Sequence, residues 1–258
     1  MILLQRPVKT MGSLALAVAI AVGSICGVAP SASADSRPRT RSSQDTAPPI
    51  FVPPTDETHT SSRAGGSRGA SECRQDSGAT VLAAIAPEDQ VGLTTASHPT
   101  VLVYIPDTSA QQIYFSIKAA SGEGHYEAIL PIPQRDSIVA LSLPTDAAPL
   151  AVGETYGWGV GLICTSGQTD MPWEQGQIRR VLSPAATLPN PPLEQATALG
   201  QAGLWYDAVE VLRRAQPTAA QQALDSSQQG RLQHSWTQLL DWAGVEASTA
   251  DSILSSLF

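Results

Sequence analysis

Across residues 81–182 apolar side chains recur at every second position, and that period fixes what this stretch can become. Val101, Val103 and Ile105 share one face of residues 100–105. Ile113, Phe115 and Ile117 share a face of residues 112–117, against Gln112, Tyr114 and Ser116. Tyr126, Ala128 and Leu130 repeat the pattern, as do Val139, Leu141 and Leu143. Strict alternation puts one face in a core and the other in water, so these segments read as half-buried strands. Pro106-Asp107, Ser121-Gly122-Glu123-Gly124, Pro133 with Asp136, and Pro144-Thr145-Asp146 supply the turns between them. Many short strands at this spacing predict a β-sandwich or barrel. In residues 155–164, Tyr156, Trp158, Val160, Leu162 and Cys164 point one way and Gly157, Gly159 and Gly161 the other. A strand face without side chains either admits a closely packed neighbour or offers a flat platform to a ligand.

After Pro189 and Pro191-Pro192 the period becomes helical. Residues 193–201 and 204–215 predict two helices, the second ended by Pro217. A third covers about residues 228–243, with Leu232, Trp236, Leu239 and Leu240 on one stripe and Gly244 as its stop. Thr249 is placed to cap a last short helix carrying Ile253, Leu254 and Leu257. The run Gly203-Leu204-Trp205-Tyr206-Asp207-Ala208-Val209-Glu210 resembles the centre of a tetratricopeptide unit. No second copy is found, and such repeats need neighbours, so the expectation is a lone helical hairpin. Residues 149–158, a turn followed by Tyr-x-Trp, resemble a strand of immunoglobulin- and fibronectin-like sandwiches.

The leader sets the compartment. Residues 1–34 combine Arg6 and Lys9 with an apolar run and end in Ala32-Ser33-Ala34, the pattern of a secretory signal peptide cleaved after Ala34. The expected location is therefore extracytoplasmic, periplasmic or secreted, with no stable membrane insertion once the leader is removed. Cys26 leaves with it, so Cys73 and Cys164 remain as an even pair in an oxidising compartment and are expected to form a disulfide. Closing a loop of that length stabilises by roughly 4–5 kcal/mol in the chain-entropy model. Residues 35–72 are rich in Ser, Pro and Arg and hold too few apolar side chains to offset ordering entropy. They read as a disordered linker, residues 73–186 as a β-sandwich domain, and residues 187–258 as a helical C-terminal region.

Chemistry is sparse. The net charge is −8, and beyond the leader Lys118 is the sole lysine, a poor match to nucleic acid, which demands clustered cations. No nucleophile elbow, phosphate loop or dinucleotide fingerprint occurs. His59, His98, His125 and His234 lie far apart with no ligand partner at metal spacing. Glu123, His125 and Glu127 alternate near a turn and would share a face, either as an acid–base cluster or as a solvated hairpin end. No catalytic residue, metal or cofactor is assigned, and an enzyme is the minority expectation. Trp173 falls in the polar stretch of residues 166–174; with Met171 it either covers an open end of the core or stacks on a ligand such as a sugar. Arg179 and Arg180 would lie on opposite faces of a strand, one of them paired or at a rim.

Taken together, Arg68-Gly69 before Cys73, the strand at residues 100–106, residues 155–164, Gly176-Gln177-Ile178-Arg179-Arg180-Val181 and Gly203-Leu204-Trp205-Tyr206-Asp207-Ala208 resemble an uncharacterised secreted cyanobacterial family, domain of unknown function 928. The resemblance implies a sandwich followed by helices in a cell-envelope setting, and brings no activity, cofactor or catalytic residue. The leading expectation is a non-catalytic extracytoplasmic module that binds another envelope protein. A carbohydrate-binding sandwich using Trp173, with Arg179 and Arg180 on the same candidate surface, is the alternative. A hydrolase with a dispersed site near His125 is the third.

Overall fold

In the computed structural model, which describes residues 50–54, 81–88, 90–165, 167, 171–183, 188–216 and 225–258, the alternating stretch forms strands of two sheets. One is the antiparallel set β1 (Ala83–Ala84), β3 (Thr100–Ile105) and β6 (Ser137–Ser142), with β3 in the middle. The other runs in the order β2 (Val91–Thr94), β8 (Trp173–Arg180), β7 (Thr155–Ile163), β4 (Gln112–Ala119), β5 (Gly124–Pro131). Its β2–β8 pair is parallel and its other pairs are antiparallel. The molecule is mainly β with α, and both sheets contribute to one apolar core.

The period predicted which residues face inward. On β4 and β7 the inward pairs are Ile113–Leu162, Phe115–Val160 and Ile117–Trp158, all buried. Two departures stand out. β3 is buried on both faces, Leu102 and Tyr104 included, because α2 (Trp205–Arg214) packs on it as well as on β2. The Tyr104 hydroxyl is satisfied within that burial by donating to Asp136 at 2.5 Å. And Trp173, expected in a polar loop, opens β8.

The helical half is α1 (Pro192–Gln201), α2, α3 (Ser226–Trp242) and α4 (Ala247–Leu257). Asp225 and Gln228 close a capping box at the start of α3, and Gly244, at φ +62°, ends that helix in the left-handed region. Thr249 does not cap α4. Glu246 holds the cap position, and Thr249 sits fully buried inside the helix, its hydroxyl accepting from the Val81 amide at 3.3 Å.

The tetratricopeptide-like run turns inward onto the sheets. Trp205 Nε1 donates to Ile85 O at 3.0 Å. Asp207 accepts from Thr94 Oγ1 (2.5 Å), Thr95 N (2.8 Å) and Thr95 Oγ1 (2.7 Å), tying α2 to the end of β2. Tyr206 lies where a Cβ on Gly92 would overlap its ring, so β2 needs glycine at that point. One core cluster runs from the sheets into these helices, and residues 47–258 form one compact unit rather than two separable halves.

Within residues 35–72, expected to be without structure, residues 50–54 are packed. Ile50 and Phe51 are each only 2% exposed. The Phe51 ring meets Trp205 edge-on at 4.8 Å and Trp242 at 5.5 Å. Composition averaged over the linker hid this short apolar anchor. The leader and Cys73 lie outside the described residues.

Candidate functional site: a glycine-floored groove

β7 lies between β4 and β8, and its glycines face away from the core. The register sets Tyr114, Ser116 and Lys118 of β4 opposite Gly161, Gly159 and Gly157. On the other side Trp173, Gln175 and Gln177 of β8 face the same three glycines. The missing side chains leave a trench of about 260 Å³, bordered by Ser116, Lys118, Trp173, Gln175 and Gln177.

Two of the three glycines are already covered. A Cβ on Gly159 would overlap the Trp173 indole, and one on Gly161 would overlap Met171 Sδ. Trp173 therefore lies down on the bare backbone and spans two positions of β7. Met171 and Trp173 cover this glycine face, not an open end of the core. Gly157 has nothing within 4 Å of where its Cβ would sit, so the trench is open there. The close packing that strand glycines signal is thus present at Gly159 and Gly161, where the neighbours are the Trp173 ring and Met171, while Gly157 stays bare.

Polar groups ring the indole. Its Nε1 donates to Gln175 Oε1 at 3.2 Å. Its ring is 5.9 Å from Tyr114, tilted by 34°. Burial, and then the Glu127 carboxylate beside it, push the Tyr114 phenol above its ordinary value, so this hydroxyl stays protonated at neutral pH. Ser116 is buried on the floor, and Lys118 is exposed at the open end, where it pairs with no carboxylate among the described residues. Behind the sheet, on the core side, Trp158 Nε1 donates to the Tyr206 hydroxyl at 2.7 Å, and that hydroxyl donates to Gln177 O at 2.9 Å. Burial holds Tyr206 protonated far above the usual phenol range. This chain of bonds ties β7, β8 and α2 together, which makes the floor rigid.

The other candidates are placed differently. Arg179 donates through Nε to Thr155 Oγ1 at 2.8 Å on the groove face, and Arg180 donates through its guanidinium to Leu150 O at 2.7 Å at the sheet end. Both are half-buried, and the two guanidiniums separate as strand alternation requires. Glu123, His125 and Glu127 do not form one cluster. A register shift on β4 between Ile117 and Lys118 leaves His125 without a partner position, because Tyr126 faces Ile117 and Gly124 faces Lys118. His125 turns onto the Tyr156 ring at 5.0 Å and meets Ala148 O at 2.8 Å. Glu127 stands opposite Ser116 instead. His98 is held between Ser97 Oγ and Ala147 O. Among the described residues no three His, Cys, Asp or Glu side chains gather as metal ligands, and no helix is long and apolar enough to cross a membrane.

Sequence reading found Trp173 and the three glycines but missed their neighbours Tyr114, Lys118, Gln175 and Gln177. Their signal was present as polar alternate positions on β4 and β8, but only the strand register shows that they flank the glycines. The model of a family described as Domain of Unknown Function (DUF928) matches residues 63–253. No curated protein matches the chain.

Proposed function

The chain belongs to the DUF928 family, a domain of unknown function, and from that premise we propose that it is a non-catalytic, extracytoplasmic carbohydrate-binding module whose ligand lies in the glycine-floored groove of β7. The observation that carries this reading is the Trp173 indole lying on Gly159 and Gly161 beside an open, polar-edged trench. A flat aromatic ring takes the apolar C–H face of a sugar, while amide, hydroxyl and ammonium groups at its margin match the hydroxyls. Gln175, Gln177, Ser116 and Lys118 supply those groups. The envelope-protein reading gains less support, because the motif that suggested a docking surface spends its Trp205, Tyr206 and Asp207 on the chain's own sheets.

The finer architecture belongs to the same proposal. An immunoglobulin-like sandwich is supported by strand order, since β8-β7-β4-β5 corresponds to G-F-C-C′ and β1-β3-β6 to A-B-E. The Tyr156 hydroxyl, near the start of β7, accepts from the Ala151 amide five residues upstream at 3.1 Å, the bond that defines a tyrosine corner. Export through residues 1–34 and a Cys73–Cys164 disulfide complete the reading. They are supported by the leader pattern and by the half-buried position of Cys164 against the core just after β7.

A glycan array probed with the wild-type protein and with Trp173→Ala, both checked for an intact thermal transition, tests the assignment. Binding to at least one glycan class and its loss in the variant are expected. Absence of any glycan signal from the folded wild type overturns it.

A further inference from the structure

Residues 50–54 cross the gap between α1 and α3 as a strap outside any helix or strand. Each contact is of the kind that seats a peptide in a groove. Ile50 N donates to Gln238 Oε1 on α3 at 3.0 Å, and Val52 N donates to Gly200 O on α1 at 3.0 Å. Phe51 inserts between Trp205 and Trp242. Gly200 must lack a side chain, because a Cβ there would overlap Ile50 O, and Pro54 rests against Gly203. Beyond Ile50 the groove continues as a mainly apolar trough of about 370 Å³ walled by Leu193, Ala198, His234 and Gln238.

The occupant reaches its seat from the far side of a long stretch of chain, although it packs into the core once seated. The family match begins at residue 63, after the strap. Pro48-Pro49 and Pro53-Pro54 flank the Ile-Phe-Val core on both sides. Prolines on both flanks bias such a peptide toward an extended form before it binds, which lowers the ordering cost of docking. Residues 55–80 separate the strap from Val81, and a chain of that length spans up to about 85 Å when extended, more than the width of a domain this size. A seated element on a long connection is the arrangement that lets identical chains exchange segments.

We propose that the α1–α3 groove is a binding site for an extended, proline-flanked peptide with a central aromatic, and that a second copy of this chain supplies it, residues 50–54 of one copy seating in the groove of the other. The site is independent of the β7 groove.

Complementing full-length variants test this. Phe51→Ala removes the anchor and keeps the groove; Gly200→Ala blocks the groove and keeps the strap. Each alone should run as a monomer, and an equimolar mixture should give a one-to-one heterodimer by light scattering. A synthetic peptide of residues 47–55 should raise the melting temperature of Phe51→Ala by several degrees and change its tryptophan fluorescence, and its Phe-to-Ala version should do neither. Should Phe51→Ala not fold, Phe51→Leu takes its place in both arms. Peptide binding without a heterodimer overturns the second copy as the source. No peptide binding and no heterodimer overturn the site itself.

Discussion

Gly157, Gly159 and Gly161 look identical in the sequence, but they face three different surroundings. Gly159 has the Trp173 ring where its side chain would be, Gly161 has Met171 Sδ, and Gly157 has open space. Alanine at position 159 must therefore lift the indole off the sheet, while alanine at 157 meets nothing. We expect Gly159→Ala to cost about 1–3 kcal/mol of stability, the usual range for overpacking, and to abolish glycan binding along with the platform. Gly157→Ala should leave stability within about 0.5 kcal/mol, as at other open surface positions. Urea titration of the pair checks both values; equal losses at the two positions would contradict the placement of Trp173. Tyr206 shows the same scale of control, since one hydroxyl serves a strand tryptophan as acceptor and a strand carbonyl as donor.

At the scale of elements, α2 is the hinge pin between sheet and helices. Its apolar face enters the core through Trp205, Val209 and Leu212, and its one inward carboxylate, Asp207, gathers three bonds from Thr94 and Thr95. Asp207→Ala removes charge-assisted acceptors from the β2 end and should destabilise by about 2 kcal/mol. Hydrogen exchange should speed up first at the Thr95 amide and spread along β2, leaving β4–β5 protected. Uniform acceleration across the molecule would mean that α2 does not fasten β2 locally. β5 shows the opposite lesson. One irregular position against β4 turned His125 away from Glu127 and divided a group that simple alternation had joined.

For the whole molecule, a single core shared by sheets and helices means that the two halves should not fold apart. The proposed Cys73–Cys164 link would reinforce that unity by tethering the segment before β1 to the residue after β7. Alkylation of the natively purified protein without reductant should add no mass at these two cysteines, and reduction should add two labels. Reduction should also lower stability by up to about 4–5 kcal/mol, less if the native geometry is strained. Two labels before reduction would remove the link from the architecture.

The sequence by itself determined where β3 to β7 and the four helices run and, except for the doubly buried β3, which side of those strands is apolar; β1, β2 and the start of β8 at Trp173 escaped it. Both properties are local: alternation every second residue, a helical stripe, and proline or glycine at the ends. Thr100–Ile105 could be placed residue by residue on that ground. Tertiary structure alone decided that Trp173 lies on two glycines, that the residues from Trp205 to Asp207 face the sheets, and that Ile50 and Phe51 enter the core. Each of these depends on register or docking between segments far apart in the chain, and such pairing is set by the fit of surfaces rather than by any period within one segment.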